Sequence, residues 1–488
     1  MKALFALLIF SAALRPGHAA APPARANYRD LEKVALAELK EANTPGAAVA
    51  IVSGDRVVYE KGFGIANVET GAPVTPAMLF RTGSVLKMLT ASVLVALSEE
   101  GRIALDAPLA DAVPGLAPRL SRVTARQLLS HTAGLIDPAR ICCAQDERAL
   151  AAEVCAYRDA DYFFTEPGAI FSYSNTGYII AGFLIEQLGG ERYADAMQHR
   201  LFDPLGMSHT TLRPTVAMTF PLSQGHEAKG EAKPTVVRPF VNNVGDWPAG
   251  FACTNVGDMA RFAIAFMNGG MLDGKQVLSA SLIKTLSGPY VDVPFGLDLP
   301  IEFYEGAKYG HGLFLQEHRG LRVLQHGGTI NGFGSLIVMV PEHRFAVIVF
   351  ANKSGSLLGK TVEKAMELHL PLKAKAPARP RQALPMTMPE MEDAAGTYAN
   401  GNLKIELSIR DGRLLRKESY PSSVEEGPGR ELEGPVRKIG ADRFLFTPAG
   451  EDTAATEFLL IRGEEGKPEY LHSNLEAAKK LDAAKITK

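Results

Sequence analysis

The stretch Arg81-Thr82-Gly83-Ser84-Val85-Leu86-Lys87-Met88-Leu89-Thr90-Ala91-Ser92-Val93-Leu94-Val95-Ala96-Leu97 decides how the rest of the chain is read. Small polar residues after a glycine open a helix, and Glu99-Glu100-Gly101 closes it. Apolar residues fall on every side rather than along one stripe, which predicts a helix buried all round. Lys87 is the one ionisable side chain between Arg81 and Glu99. An ammonium in such surroundings needs partners or gives up its charge. Ser84 and Lys87, three residues apart, project from one face of the first turn. That pair has the ingredients of an activated serine nucleophile. Alone, Ser-x-x-Lys fits equally a capping serine and a lysine reaching for solvent.

Composition narrows the class. A chain of 488 residues, 46% hydrophobic and 22% charged, is ordinary for a globular protein of more than one domain. A net charge of -2 gives no electrostatic case for nucleic acid or an anionic membrane as partner. Residues 1–20 read as an export signal: Lys2 leads, residues 3–14 are apolar but too few to span a bilayer, and small residues surround Ala19-Ala20. The expectation is a periplasmic or secreted bacterial protein with no integral membrane segment once the signal is removed. Of the four cysteines, Cys142, Cys143 and Cys155 cluster and Cys253 stands apart. In an oxidising compartment Cys155 is expected to pair with Cys142 or Cys143. Their spacing is poor for a zinc site.

Working outward from the central helix, apolar residues at helical spacing (Tyr28, Leu31, Ala35, Leu39, Ala42) mark a helix over 28–43. Strands are expected over 47–53 and 56–64, joined at Gly54-Asp55. Thr124 opens a short helix, and residues 137–164 are irregular. An apolar helix over 178–188, capped by Asn175 or Thr176, stops at Gly189-Gly190. A helix over 258–268, strands over 321–325, 335–340 and 345–351, and a helix over 360–368 complete this part. Strands at both ends with helices between them predict an α+β fold: an antiparallel sheet whose first and last strands meet, flanked by helices, with an all-helical subdomain. Residues 372–390, rich in Pro, Lys, Arg and Ala, read as a linker between a domain over 27–371 and a second over 391–488. In the latter, short β-like runs at 404–410, 413–417, 443–447 and 457–461 predict a small all-β barrel.

Three motifs follow in order: Ser84-x-x-Lys87, Tyr173-Ser174-Asn175 and His326-Gly327-Gly328. Together they resemble the serine β-lactamase and penicillin-binding-protein superfamily. The branch resembled contains class C β-lactamases, D-Ala-D-Ala carboxypeptidases, D-aminopeptidases and related esterases. The stretches Leu128–Leu135, Pro248-Ala249-Gly250-Phe251 and Asn331-Gly332-Phe333 carry the same resemblance, over roughly residues 30–370. By strand texture the second domain resembles the lipocalin-like domain of some members.

The resemblance implies that Ser84 attacks a carbonyl carbon and forms an acyl-enzyme. It makes Tyr173 the candidate base and later acid, its phenol, normally near pKa 10, lowered by Lys87. A neutral Lys87 is the alternative base, and the sequence leaves that open. Asn175 is expected to bond Lys87 and the substrate amide. The backbone N–H groups of Ser84 and Thr329 would form the oxyanion hole, with His326, Gly327 and Gly328 on an edge strand where substrate lies against the backbone. Efficient β-lactamases of this kind carry Lys where this chain has His326 and a hydroxyl where it has Gly327. The departure shifts the expectation toward peptidases and esterases. His131 is expected to hold its turn, His311 to be structural, and Phe251 and Cys253 to pack near the nucleophile. The expected protein is an exported serine hydrolase of amides or esters, acting on D-amino-acid peptides or small acyl esters, without metal or organic cofactor. The alternatives are a β-lactamase and a penicillin-recognising sensor that is acylated but does not turn over. A small molecule or peptide is the expected partner, and the oligomeric state is not set by the sequence.

Overall fold

The computed structural model describes residues 27–482 except 139–142, 159–161, 295–305, 376–381, 402, 421–428 and 450–454. The expected export signal therefore lies outside the described residues. A nine-stranded antiparallel sheet runs, from edge to edge, Val291–Asp292, Lys308–Tyr309, Phe314–His318, Leu321–Ile330, Phe333–Val340, Phe345–Ala351, Gly46–Ser53, Arg56–Asn67 and Ala72–Pro73. The first and last long strands of the domain meet as expected, Ala47 opposite Ala351 through Ser53 opposite Phe345. Fully apolar strands such as Phe345–Ala351 are buried on both faces. One face packs on the helices Leu86–Glu99, Asn175–Gly189 and Val256–Met267, and the other on Arg29–Glu41 and Gly359–His369.

Leu86–Glu99 is buried on nearly every side, as its even apolar distribution requires, and Lys87 is fully buried. Ser84 sits in a 3-10 turn, Gly83–Val85, that leads into it. The strand expected to stop at Gln325 continues to Ile330, because Phe333–Val340 pairs with it from Leu324 to Ile330. Its other neighbour pairs only as far as Gln325. The strand is therefore interior over its first half and an edge from His326 onward. That open edge faces the Ser84 turn at contact distance. A Cβ on Gly328 would lie 2.2 Å from Thr82 O and 2.9 Å from Ser84 N. One on Gly83, where φ is +52°, would lie 2.7 Å from Thr329 N. Gly328 thus admits the protein's own nucleophile turn. Gly327, with nothing nearer than 3.7 Å to its would-be Cβ, keeps the edge clear.

The second domain is a closed barrel of eight sequential antiparallel strands from Gly396–Ala399 to Glu476–Lys480, which also pair with each other. Four of its strands coincide with the β-like runs in the sequence. Part of the expected linker belongs to this domain: Leu384 N–H donates to Lys438 O (2.8 Å), and a capping box at Thr387 and Glu390 opens the helix Met388–Ala394.

The cysteine expectation is corrected. Cys143 is disulfide-bonded, whereas Cys155 and Cys253 are free thiols. Cys155 ends the helix Ala149–Cys155 and is exposed, so its thiol points to solvent rather than into the loop that holds Cys143. Cys253 is buried beside the nucleophile strand, and burial pushes its thiol up to about 11, which keeps it protonated and unreactive.

Candidate active site

Lys87 Nζ donates to Ser84 Oγ (3.0 Å), Asn175 Oδ1 (2.7 Å) and the backbone oxygen of Ala249 (2.7 Å). Three acceptors around one buried amine offset the cost of taking it out of water. The same nitrogen lies 5.0 Å from the centroid of the Tyr173 ring. Two pairs remote from each other in the chain, Ser84 with Lys87 and Tyr173 with Asn175, thus converge on one locus.

The reason Asn175 can turn to Lys87 lies in the start of its helix. Neither Asn175 nor Thr176 is the cap. Ser174 takes that place, its Oγ accepting from Gly177 N–H (3.3 Å). Asp137 adds a carboxylate that accepts from Ser174 Oγ and from the N–H groups of Asn175 and Thr176, each at 2.8 Å. A negative group at a helix N-terminus is favourable, and here it replaces the side chains expected to cap. Asp137 was not singled out by sequence because it reaches the helix from a remote irregular segment. The lysine's third acceptor, the main chain of Ala249, carries no side-chain signal at all.

Behind Tyr173 lies a buried chain of rings. His131, at φ +58°, stacks on Tyr173 with centroids 4.1 Å apart. Its Nδ1 accepts from Ser174 N–H (3.1 Å), so Nε2 carries the proton and donates to Tyr309 Oη (3.2 Å). At the far end His326 Nδ1 lies 2.6 Å from Gly327 O, which can only accept, so His326 Nε2 is left as an acceptor 3.2 Å from Tyr309 Oη. Backbone groups at both ends thus fix the two imidazole tautomers, and Tyr309 also hydrogen-bonds Tyr178. His131 holds its turn as expected, and it also backs the candidate base. His311 is structural, its Nδ1 donating to Thr285 O (2.8 Å).

Burial, then the Lys87 charge, pushes His326 down to about 3, and the same two causes lower His131 well below its usual value. Burial brings His311 to about 4 and His472, in the barrel, to about 3. The folded state therefore holds these rings neutral, while the unfolded chain protonates near 6.5. Their contribution to stability is present above pH 6.5 and lost as pH falls toward 4 and 3. Each costs roughly a tenfold change in the folding equilibrium per pH unit in that window. Denaturant midpoints measured from pH 7 to pH 4 are expected to drop steeply, and His472→Gln to flatten the slope. A flat profile for the parent would contradict the burial of neutral imidazoles.

Among the described residues no group of three or more His, Cys, Asp or Glu side chains is placed to hold a metal ion. No helix among them is long and apolar enough to cross a membrane.

The antiparallel sheet flanked by helices, followed by a closed eight-stranded barrel, defines a β-lactamase-like α+β fold. The Beta-lactamase family model spans residues 29–368, and the chain belongs to that family. It is 29% identical over 372 residues to penicillin-binding protein 4 of Amycolatopsis lactamdurans, covering 73% of this chain and 94% of that protein. It is 28% identical over 356 residues to the unguisins hydrolase ungD of Aspergillus violaceofuscus, covering 67% of this chain but 61% of that protein. The solved structure of SurE with D-Leu matches both domains, with a TM-score of 0.71, 25% identity and coverage of 93% of this chain and 99% of SurE.

Proposed function

We propose that the protein is an exported serine hydrolase that cleaves amide or ester bonds through an acyl-enzyme on Ser84, with a D-configured residue on the acyl side. The observation that carries this reading is the contact of buried Lys87 Nζ with Ser84 Oγ at 3.0 Å, with Asn175 and Ala249 supporting the amine. Ser84 Oγ attacks the carbonyl carbon as its proton passes to Tyr173, which acts as a phenolate beside Lys87, and the oxyanion is met by the N–H groups of Ser84 and Thr329. Tyr173 then hands the proton to the departing amine or alcohol. Water attacks the ester as one of its protons passes to the Tyr173 phenolate, and Tyr173 returns that proton to Ser84 Oγ as it leaves, which regenerates the hydroxyl and the phenolate. In this reading Lys87, bonded to Ser84, Asn175 and Ala249, supplies the charge and Tyr173 carries the proton.

His326 is neutral and uses both ring nitrogens inside the protein, so it offers no cation to the carboxylate of a β-lactam. That favours neutral acyl substrates over antibiotics. The D-Leu complex of SurE supports the stereochemical part. Purified mature protein is expected to turn over D-amino-acid p-nitroanilides or esters at least about tenfold faster than their L forms. Hydrolysis of a chromogenic cephalosporin is expected to be slow. Efficient cephalosporin turnover, or preference for L substrates, would overturn the corresponding half of the proposal.

A further inference from the structure

Residues 170–174 belong to no helix or strand, yet they carry Tyr173. Three successive N–H groups anchor them. Ser172 N–H donates to His131 O (2.9 Å) and Ser174 N–H to His131 Nδ1 (3.1 Å). Between these, Tyr173 N–H donates to the carbonyl of Leu475 (2.9 Å), which belongs to the barrel. The middle anchor of the candidate base therefore comes from the other domain.

Leu475 is an unusual residue for its place. Ser473 pairs with Glu476, so Asn474 and Leu475 form a two-residue loop between the strands Pro468–Ser473 and Glu476–Lys480. Both have positive φ, +50° and +70°. This hairpin geometry suits Asn at its first position and Gly at its second, because a Cβ is strained there. Leucine stands here although glycine would suit the loop better. Its side chain is 6% exposed and lies in the apolar cluster that holds Phe171, Tyr309 and Phe314 of the hydrolase domain. Strained backbone held by its surroundings is a mark of a functional position.

The contact is broad enough to fix the loop. Ala477 N–H donates to Ser172 Oγ (3.1 Å), Tyr470 Oη meets Thr165 Oγ1 (2.6 Å), and Ile170 packs with Tyr470 and Ala477. Inside the barrel, Arg416 Nη2 donates to Ser473 Oγ (3.3 Å), the residue before the loop, and pairs with buried Glu418. A rigid line of contacts thus leads from the barrel interior to the backbone of Tyr173.

We propose that Leu475 is a positioning residue for Tyr173, and that the barrel completes the active site by clamping the backbone of the tyrosine. The inference rests on the acyl-enzyme reading above. Misplacing a reacting group by about an ångström costs up to about a hundredfold in rate. In the full-length protein Leu475→Gly keeps the carbonyl and relieves the backbone, while removing the apolar anchor. It is expected to lower kcat about tenfold or more with KM nearly unchanged, and to speed hydrogen exchange at the Tyr173 amide about tenfold. Leu475→Met, which restores an apolar anchor, is expected to recover most of both. Parent values of kcat and of Tyr173 exchange in Leu475→Gly would overturn the proposal. Should that variant not fold, Ser172→Ala removes the neighbouring acceptor and reads the same clamp: faster Tyr173 exchange supports it, and unchanged exchange overturns it. Ser84→Ala in the same assay separates the two readings. Turnover that survives Ser84→Ala sinks the hydrolase assignment, while exchange at Tyr173 still decides the clamp.

Discussion

Lys87→Ala is expected to slow acylation of Ser84 by about three orders of magnitude or more, with the protein still folded. The lysine is the hub of the site: it touches the nucleophile, the amide of Asn175 and the main chain of Ala249 through one nitrogen. Removing it leaves two buried acceptors without their donor and the Ser84 hydroxyl without the neighbouring charge. Lys87→Met keeps the volume of the stem and separates lost packing from lost charge. Both variants are expected to show the same deep loss when labelled by a fluorophosphonate. Labelling of either at the parent rate would show that Lys87 is a core residue that happens to face Ser84.

Tyr173→Phe is the second large effect. The ring stays, so its stacking on His131 at 4.1 Å and the Tyr173 N–H bond to Leu475 are retained. What disappears is a hydroxyl that can accept and return a proton. General acid–base contributions are typically about a hundredfold to ten-thousandfold, and the loss is expected in kcat for both ester and amide substrates. Amides should suffer more, because a poor amine leaving group needs its proton most. A variant that retains full amidase kcat would transfer the base to Lys87. It would also remove the reason for a barrel loop to hold this particular residue.

The helix that opened the sequence reading was legible because its apolar residues surround the axis, a pattern that only burial satisfies. Helical spacing brings Ser84 to Lys87, whereas nothing local brings Tyr173 and Asn175 to them, and that meeting is expected only from the order of the motifs. Other features escaped because their cause is remote. Asn175 looked like a cap, but Ser174 and Asp137 cap that helix and leave its side chain to Lys87. Strand texture alone stops at Gln325, and only the resemblance places His326-Gly327-Gly328 on an edge strand, where pairing with Phe333–Val340 carries them. In the barrel, Glu476–Lys480 consists of Glu, Ala and Lys, all good helix formers, yet it is a strand because it pairs on both sides. Arg430–Lys438 is not among the expected runs, since Gly434 and Pro435 are both disfavoured inside a strand. The Leu475 contact had no signature, since a backbone carbonyl does the holding. The Cys155 bridge was inferred from closeness in sequence alone, and the helix that ends at Cys155 directs its thiol elsewhere.

The central claim is that Ser84 becomes covalently acylated and is then released by water. Rapid-quench intact-mass measurement with a D-amino-acid ester, followed by peptide mapping, tests it directly. The expected result is a transient adduct of acyl mass on the peptide holding Ser84, formed in a burst and decaying at the steady-state rate. Turnover without any adduct, or an adduct on another residue, would contradict it.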